Sequence, residues 1–156
     1  MLYRLLPRSA DNNYRGHWLA LWIFALVVLA RTLISVNSIV NARMVATSAD
    51  GLPLDAIGSA GAHIAISLFV IWGIAQLIIS IVAAVVLIRY RALVPLMFLL
   101  LLLELAGRRI ALHVLPIASN GSHSGSIVNL VLLVLLVIGL ALSLIKREPR
   151  LPSALR

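Results

Sequence analysis

The chain has no cysteine among its 156 residues. That absence excludes disulfides, thiolate nucleophiles, iron–sulfur ligation and cysteine-type zinc sites together, and with them the thiol-relaying class of four-helix membrane redox proteins. Acid is scarce as well, with 5 Asp and Glu against 13 Lys and Arg. A carboxylate pair, a Ser–His arrangement and a glycine-rich phosphate loop are all missing, so the sequence offers no catalytic constellation and the expectation is a protein that is not an enzyme. No fixed ligand spacing joins Asp50, Asp55, His63 and His123, and neither a metal nor a cofactor is expected.

What is abundant is apolar. The chain is 62% hydrophobic with a mean hydropathy of +1.09, where soluble domains have roughly 45–50% apolar residues. A bilayer core takes about 20 apolar residues per helix. Four stretches qualify, at about 18–42, 60–88, 92–114 and 126–145. The expected fold is all-α: a polytopic membrane protein of one domain spanning residues 1–156, with four transmembrane helices in an antiparallel bundle. The "RYRA" turn at 89–92 is too short for a crossover, so the second and third helices should form a hairpin. Small residues on the second helix, with Gly73, Gln76, Ser80 and Ala84 in three- and four-residue steps, make it the expected centre of the bundle.

Charge gives the orientation. Apart from Arg31, Arg43, Arg108 and Arg109, every Lys and Arg falls in the N-terminal tail, in the turn carrying Arg89 and Arg91, or in the C-terminal tail from Lys146 onward. The other two connections carry none, and Asp50 and Asp55 lie in the first of them. Positive residues in short loops mark the cytoplasmic side, so both termini should be cytoplasmic and the protein multi-pass in a cell membrane, the bacterial inner membrane. A cleaved signal peptide over the first 30 or so residues is not expected, because no small-x-small site follows the apolar run. The scattered arginines form no stripe, and nucleic acid is not an expected partner.

The stretch from Phe98, "FLLLLLELAGRRIALHVLP", raises the functional question. At about 1.5 Å rise per residue, Arg31, counted from Trp18, and Glu104, counted from Ala92, reach nearly the same depth just past the midplane. Arg43, Asn37 and Asn41 on the first helix, His63 on the second and Arg108, Arg109 and His113 on the third lie toward the outer surface, while Gln76 sits near the midplane. Intramembrane charges generally turn inward and pair. Glu104 and Arg108 are four apart in the favourable acid-first order. The expected site is therefore an inward-facing network of Arg31, Glu104 and Arg108, with Asn37 and Asn41 bridging helices and Trp72 lining the deeper wall.

The spans hold four arginines and one carboxylate. Even with Asp50 and Asp55 the outer half keeps one positive charge in excess, which an anion would balance. The reading that follows is an outer-half cavity binding an amphiphilic or anionic ligand, such as a membrane-lipid headgroup, or a partner's transmembrane helix. An oligomeric transport or channel subunit is the alternative, although the inner half offers no polar path. A membrane enzyme, or a haem protein using His63 and His113, stands third. Arg43, Arg109 and His113 also lie near enough to the interface to snorkel into headgroups.

Overall fold

A computed structural model describes residue 5, residues 10–115 and residues 124–145, and among these the chain is helical, without strands. Four long helices carry it: α1 (Trp18–Val40), α2 (Gly58–Arg89), α3 (Val94–Val114) and α4 (Ser124–Leu144). Three of them are long and apolar enough to cross a membrane: α1, α2 and, in α4, Gly125–Leu144. α3 is of similar length but carries Glu104, Arg108 and Arg109, and this charge sets it apart. Arg4, Arg8, Pro116, His123 and the basic tail from Lys146 lie outside the described residues.

Local chemistry explains most of the helix ends. His17 precedes α1 with extended backbone, and its side chain accepts from the Leu19 N–H at 3.3 Å, satisfying one of the donors a helix start leaves over. Pro95 occupies the first turn of α3, where a missing N–H costs nothing. Beyond Val40 the chain continues as one α-turn (Ala42–Met44) and a π-helical turn (Val45–Ala49), longer than the expected first span. Gly51 and Gly58 bracket the next connection with φ of 67° and 73°, a left-handed conformation that glycine adopts without steric cost. Leu54 in this connection is 3% exposed and folds back into the protein.

The buried face of α1 reads Ala20, Phe24, Val27, Val28, Arg31, Ser35 and Ser38, a three- and four-residue rhythm that keeps one stripe inward. Close approaches are dense between α1 and α2, between α1 and α4 and between α3 and α4, and sparse between α2 and α3. The central helix is thus α1, not α2, and the pair expected to pack as a hairpin meets only sparsely. Gly73 is the reason α2 hugs α1. A Cβ there would stand 2.9 Å from Ile39 Cγ1 and 3.2 Å from the Ser35 carbonyl oxygen. Gly139 does the same between α3 and α4, where a Cβ would strike the Phe98 ring at 2.3 Å. Phe98 in turn meets Phe24 edge to face at 5.0 Å between centroids. Between helices this apolar, close backbone approach and dispersion decide association.

Contacts also sort the two ends. The His17 N–H donates to the Leu142 carbonyl at 3.2 Å and the Ala92 N–H to the Asp11 carbonyl at 3.1 Å, so the N-terminal segment, the α2–α3 turn and the end of α4 lie together. At the opposite end the start of α4 meets the π-helical turn, with Gly125 against Ala49 and Asp50.

Candidate functional site

Three helices converge on one carboxylate. Arg31 of α1 donates through Nη2 to Glu104 Oε2 at 2.5 Å and also to Gln76 Oε1 of α2, while Gln76 Nε2 donates to Glu104 Oε1 at 2.6 Å. The Arg31 side chain is 8% exposed and that of Glu104 26%; Gln76 is buried. Both carboxylate oxygens are engaged, one by a cation and one by an amide, and charge-assisted bonds of this kind are about twice as strong as neutral ones. Gln76 ties the ion pair to α2, so the carboxylate of α3 is held from two helices that otherwise approach α3 only sparsely. One turn further along each helix, and so on opposite sides of the network, Ser35 and Ser80 donate their hydroxyl protons to the carbonyls of Arg31 and Gln76, and neither presents an unpaired donor to its apolar surroundings.

Arg108 does not pair with Glu104 as its spacing suggests. Its Nη2 donates to Asn129 Oδ1 of α4 at 2.7 Å, and its guanidinium lies 4.9 Å from the centroid of Trp72; Trp72 is braced edge to face by Phe69. One side chain thereby spans α2, α3 and α4 by cation–π attraction and a hydrogen bond. Asn129 was not among the expected site residues. Its signal was present, as the only amide on an otherwise aliphatic helix.

The two asparagines expected to bridge helices do not. Asn41 Nδ2 donates to Asn37 Oδ1 at 2.8 Å along α1 itself, and both are exposed. Asn37 lies about 100° round the helix from Ser38 and about 160° from Ser35, off the buried stripe. Arg109 and His113 are exposed on the last turns of α3. His63 is exposed on the first turns of α2.

Two spaces matter. A cavity of about 20 Å³ is bounded by Arg31, Ser35, Gln76, Arg108 and Asn129 together with aliphatic side chains. A groove of about 320 Å³ opens at the end of the bundle that holds Asp50, with Arg43, Asp55, Ser59 and His63 at its rim and Leu54 and Ile66 on its walls. In the groove Arg43 reaches Asp55 at 3.7 Å, but these side chains are 70% and 100% exposed, and such a pair is worth little. The guanidinium is therefore free to exchange partners. Asp50, beside the start of α4, has its carboxyl pushed above the ordinary 3.8 by burial, with Arg108 pulling the other way.

The geometry divides the expected site. The deep part is a network that supplies most of its own partners; the shallow part is an open groove with a cationic rim. Comparison with family models, with curated proteins and with solved structures finds no match to this chain.

Proposed function

We propose that the protein is a four-span membrane protein, its helices antiparallel and both termini cytoplasmic, that binds the headgroup of an anionic lipid in the groove beside Arg43 and His63 and catalyses no reaction. The observation that carries this reading is the groove itself. At about 320 Å³ it falls at the lower end of the ligand-site range of roughly 300–1,000 Å³. Its rim offers two nitrogen-bearing side chains and a serine, and its walls offer aliphatic surface continuous with the bundle, the pairing an amphiphile needs. α2 begins here without a side-chain cap, so the first N–H groups of a 32-residue helix add donors and a positive dipole end at the same rim. The orientation rests on Arg15, Arg89 and Arg91 at the opposite end.

In this reading the Arg31–Gln76–Glu104 network is a lock that fixes how the helices meet. The packed apolar layer of Phe24, Val27, Phe98 and Leu101 speaks against a transport path through one copy of the chain. Native mass spectrometry of the full chain extracted from phosphatidylglycerol–phosphatidylcholine bilayers tests the proposal. Phosphatidylglycerol should be retained in preference, and Arg43→Ala should weaken retention about fivefold, from about 1 kcal/mol per surface arginine. Equal retention of both lipids, or retention indifferent to Arg43→Ala, overturns it.

A further inference from the structure

The outward face of α1 keeps a rhythm of its own. Leu19, Leu26, Leu33 and Val40 recur every seventh residue, and all four are exposed, the last three by 54%, 62% and 72%. Ala30 and Asn37 fill the positions between, so that from Leu26 to Val40 the steps alternate between four and three. A seven-residue repeat of this kind is the seam along which one helix winds round another. The rest of the chain makes no use of it. α2 and α4 meet α1 at other residues, among them Ile23, Ser35 and Ser38, and leave this stripe bare.

Asn37 interrupts the apolar run, and its chemistry names the occupant. It lies about 12 Å from the middle of α1, inside the roughly 15 Å half-thickness of a bilayer core, where lipid tails offer an amide no partner. Asn41 Nδ2 already donates to Asn37 Oδ1. That leaves the Asn37 Nδ2 protons and the Asn41 carbonyl oxygen without a partner among the described residues, a donor and an acceptor in one exposed patch. Such a patch is complementary to itself, because a second copy of the chain turned about a two-fold axis brings an acceptor to each donor. No charge opposes the approach. Arg31, the one charged residue in Trp18–Val40, is turned inward to Glu104.

We infer that this stripe of α1 is the contact between two copies of the chain, lying parallel in the membrane with Asn37 of each beside Asn37 of the other. The amides then bond across the interface and fix its register, as a lone asparagine does in a heptad seam. The far end of the stripe has the matching relief. Val40, Arg43, Met44 and Thr47, at i, i+3, i+4 and i+7, border a shallow hollow, the four-residue hole that receives a side chain from a facing helix. Met44 of the second copy, at the same depth, is the side chain that fills it. Arg43 at this hollow is turned to Asp55, so like charges do not meet in the seam. The interface stands whether or not the groove holds a lipid.

Because the chain has no cysteine, single cysteines placed in the full chain report the contact. In phosphatidylcholine vesicles treated with copper–phenanthroline, Leu26→Cys, Leu33→Cys and Val40→Cys should form a disulfide-linked dimer. Val36→Cys, exposed on α1 beside the stripe, and Ile78→Cys, exposed on α2, should form little. Asn37→Leu, followed through the Leu33→Cys crosslink as the protein is diluted into lipid, should weaken the dimer about tenfold, the loss of two interhelical amide bonds. Asn37→Gln keeps an amide there and should retain most of the crosslink. Asn37 is exposed on a single copy, so neither change removes a contact inside the bundle. Crosslinking equal at Leu33, Val36 and Ile78, or a Leu33→Cys dimer indifferent to Asn37→Leu, overturns the interface. A Leu33→Cys crosslink to a different protein in cell membranes, with none between copies in vesicles, overturns it also.

Discussion

Arg31 is a cation held 7% exposed at a place where three helices meet, and its counter-charge comes from a residue 73 positions away. Removing one member of such a pair strands the other. Glu104→Ala should therefore cost about 3 kcal/mol of stability, read as a fall in unfolding midpoint. Arg31→Met combined with Glu104→Met should recover most of that loss, because methionines of similar volume leave no buried charge behind. Losses that simply add in the double variant would sink the idea that the pair acts as a unit. The depth match that makes this pair legible in the sequence comes from helix rise alone. Rotation about the helix axis is another matter, and it is why Arg108 turned to Trp72 and Asn129 and not to Glu104. Spacing of four places two residues on one face of their own helix, but it carries no information about which neighbour that face meets.

At the scale of the helix, two glycines set the distances. Gly73 lets α1 and α2 close on each other, and Gly139 receives the Phe98 ring between α3 and α4. Gly73→Val should force Ile39 and the Ser35 backbone outward and cost about 1–3 kcal/mol, as should Gly139→Val. Gly107, also within α3, has nothing within 4 Å of a built Cβ. Gly107→Ala should be neutral or stabilising by roughly 0.5–1 kcal/mol. A thermal midpoint for Gly73→Val equal to that of Gly107→Ala would remove the packing account. Helix existence and approximate bounds were readable from apolar run length. The ranking of α1 over α2 as the centre was not, since small residues on α2 show that a neighbour approaches closely without showing how many neighbours do. The Asn37–Asn41 pair misleads for a related reason: an amide pair four apart looks like a bridge, but both residues are exposed on the flank of the buried stripe through Arg31, Ser35 and Ser38.

For the whole molecule, the lack of cysteine is experimentally useful. Single cysteines can be placed without background. Asn12→Cys and Ala56→Cys lie on exposed positions at opposite ends of the bundle, and a membrane-impermeant thiol reagent on intact cells should label Ala56→Cys at once and Asn12→Cys only after permeabilisation. The reverse pattern would overturn the orientation read from Arg15, Arg89 and Arg91. The three-way Arg31–Gln76–Glu104 contact also has a consequence in time. At about 5–20 residues per second, the 73 residues from Arg31 to Glu104 take roughly 4–15 s to synthesise. Gln76, 45 residues after Arg31, is made well before the acid. The amide is thus available to the guanidinium seconds before the carboxylate is, so during synthesis the Arg31–Gln76 contact can form without Glu104.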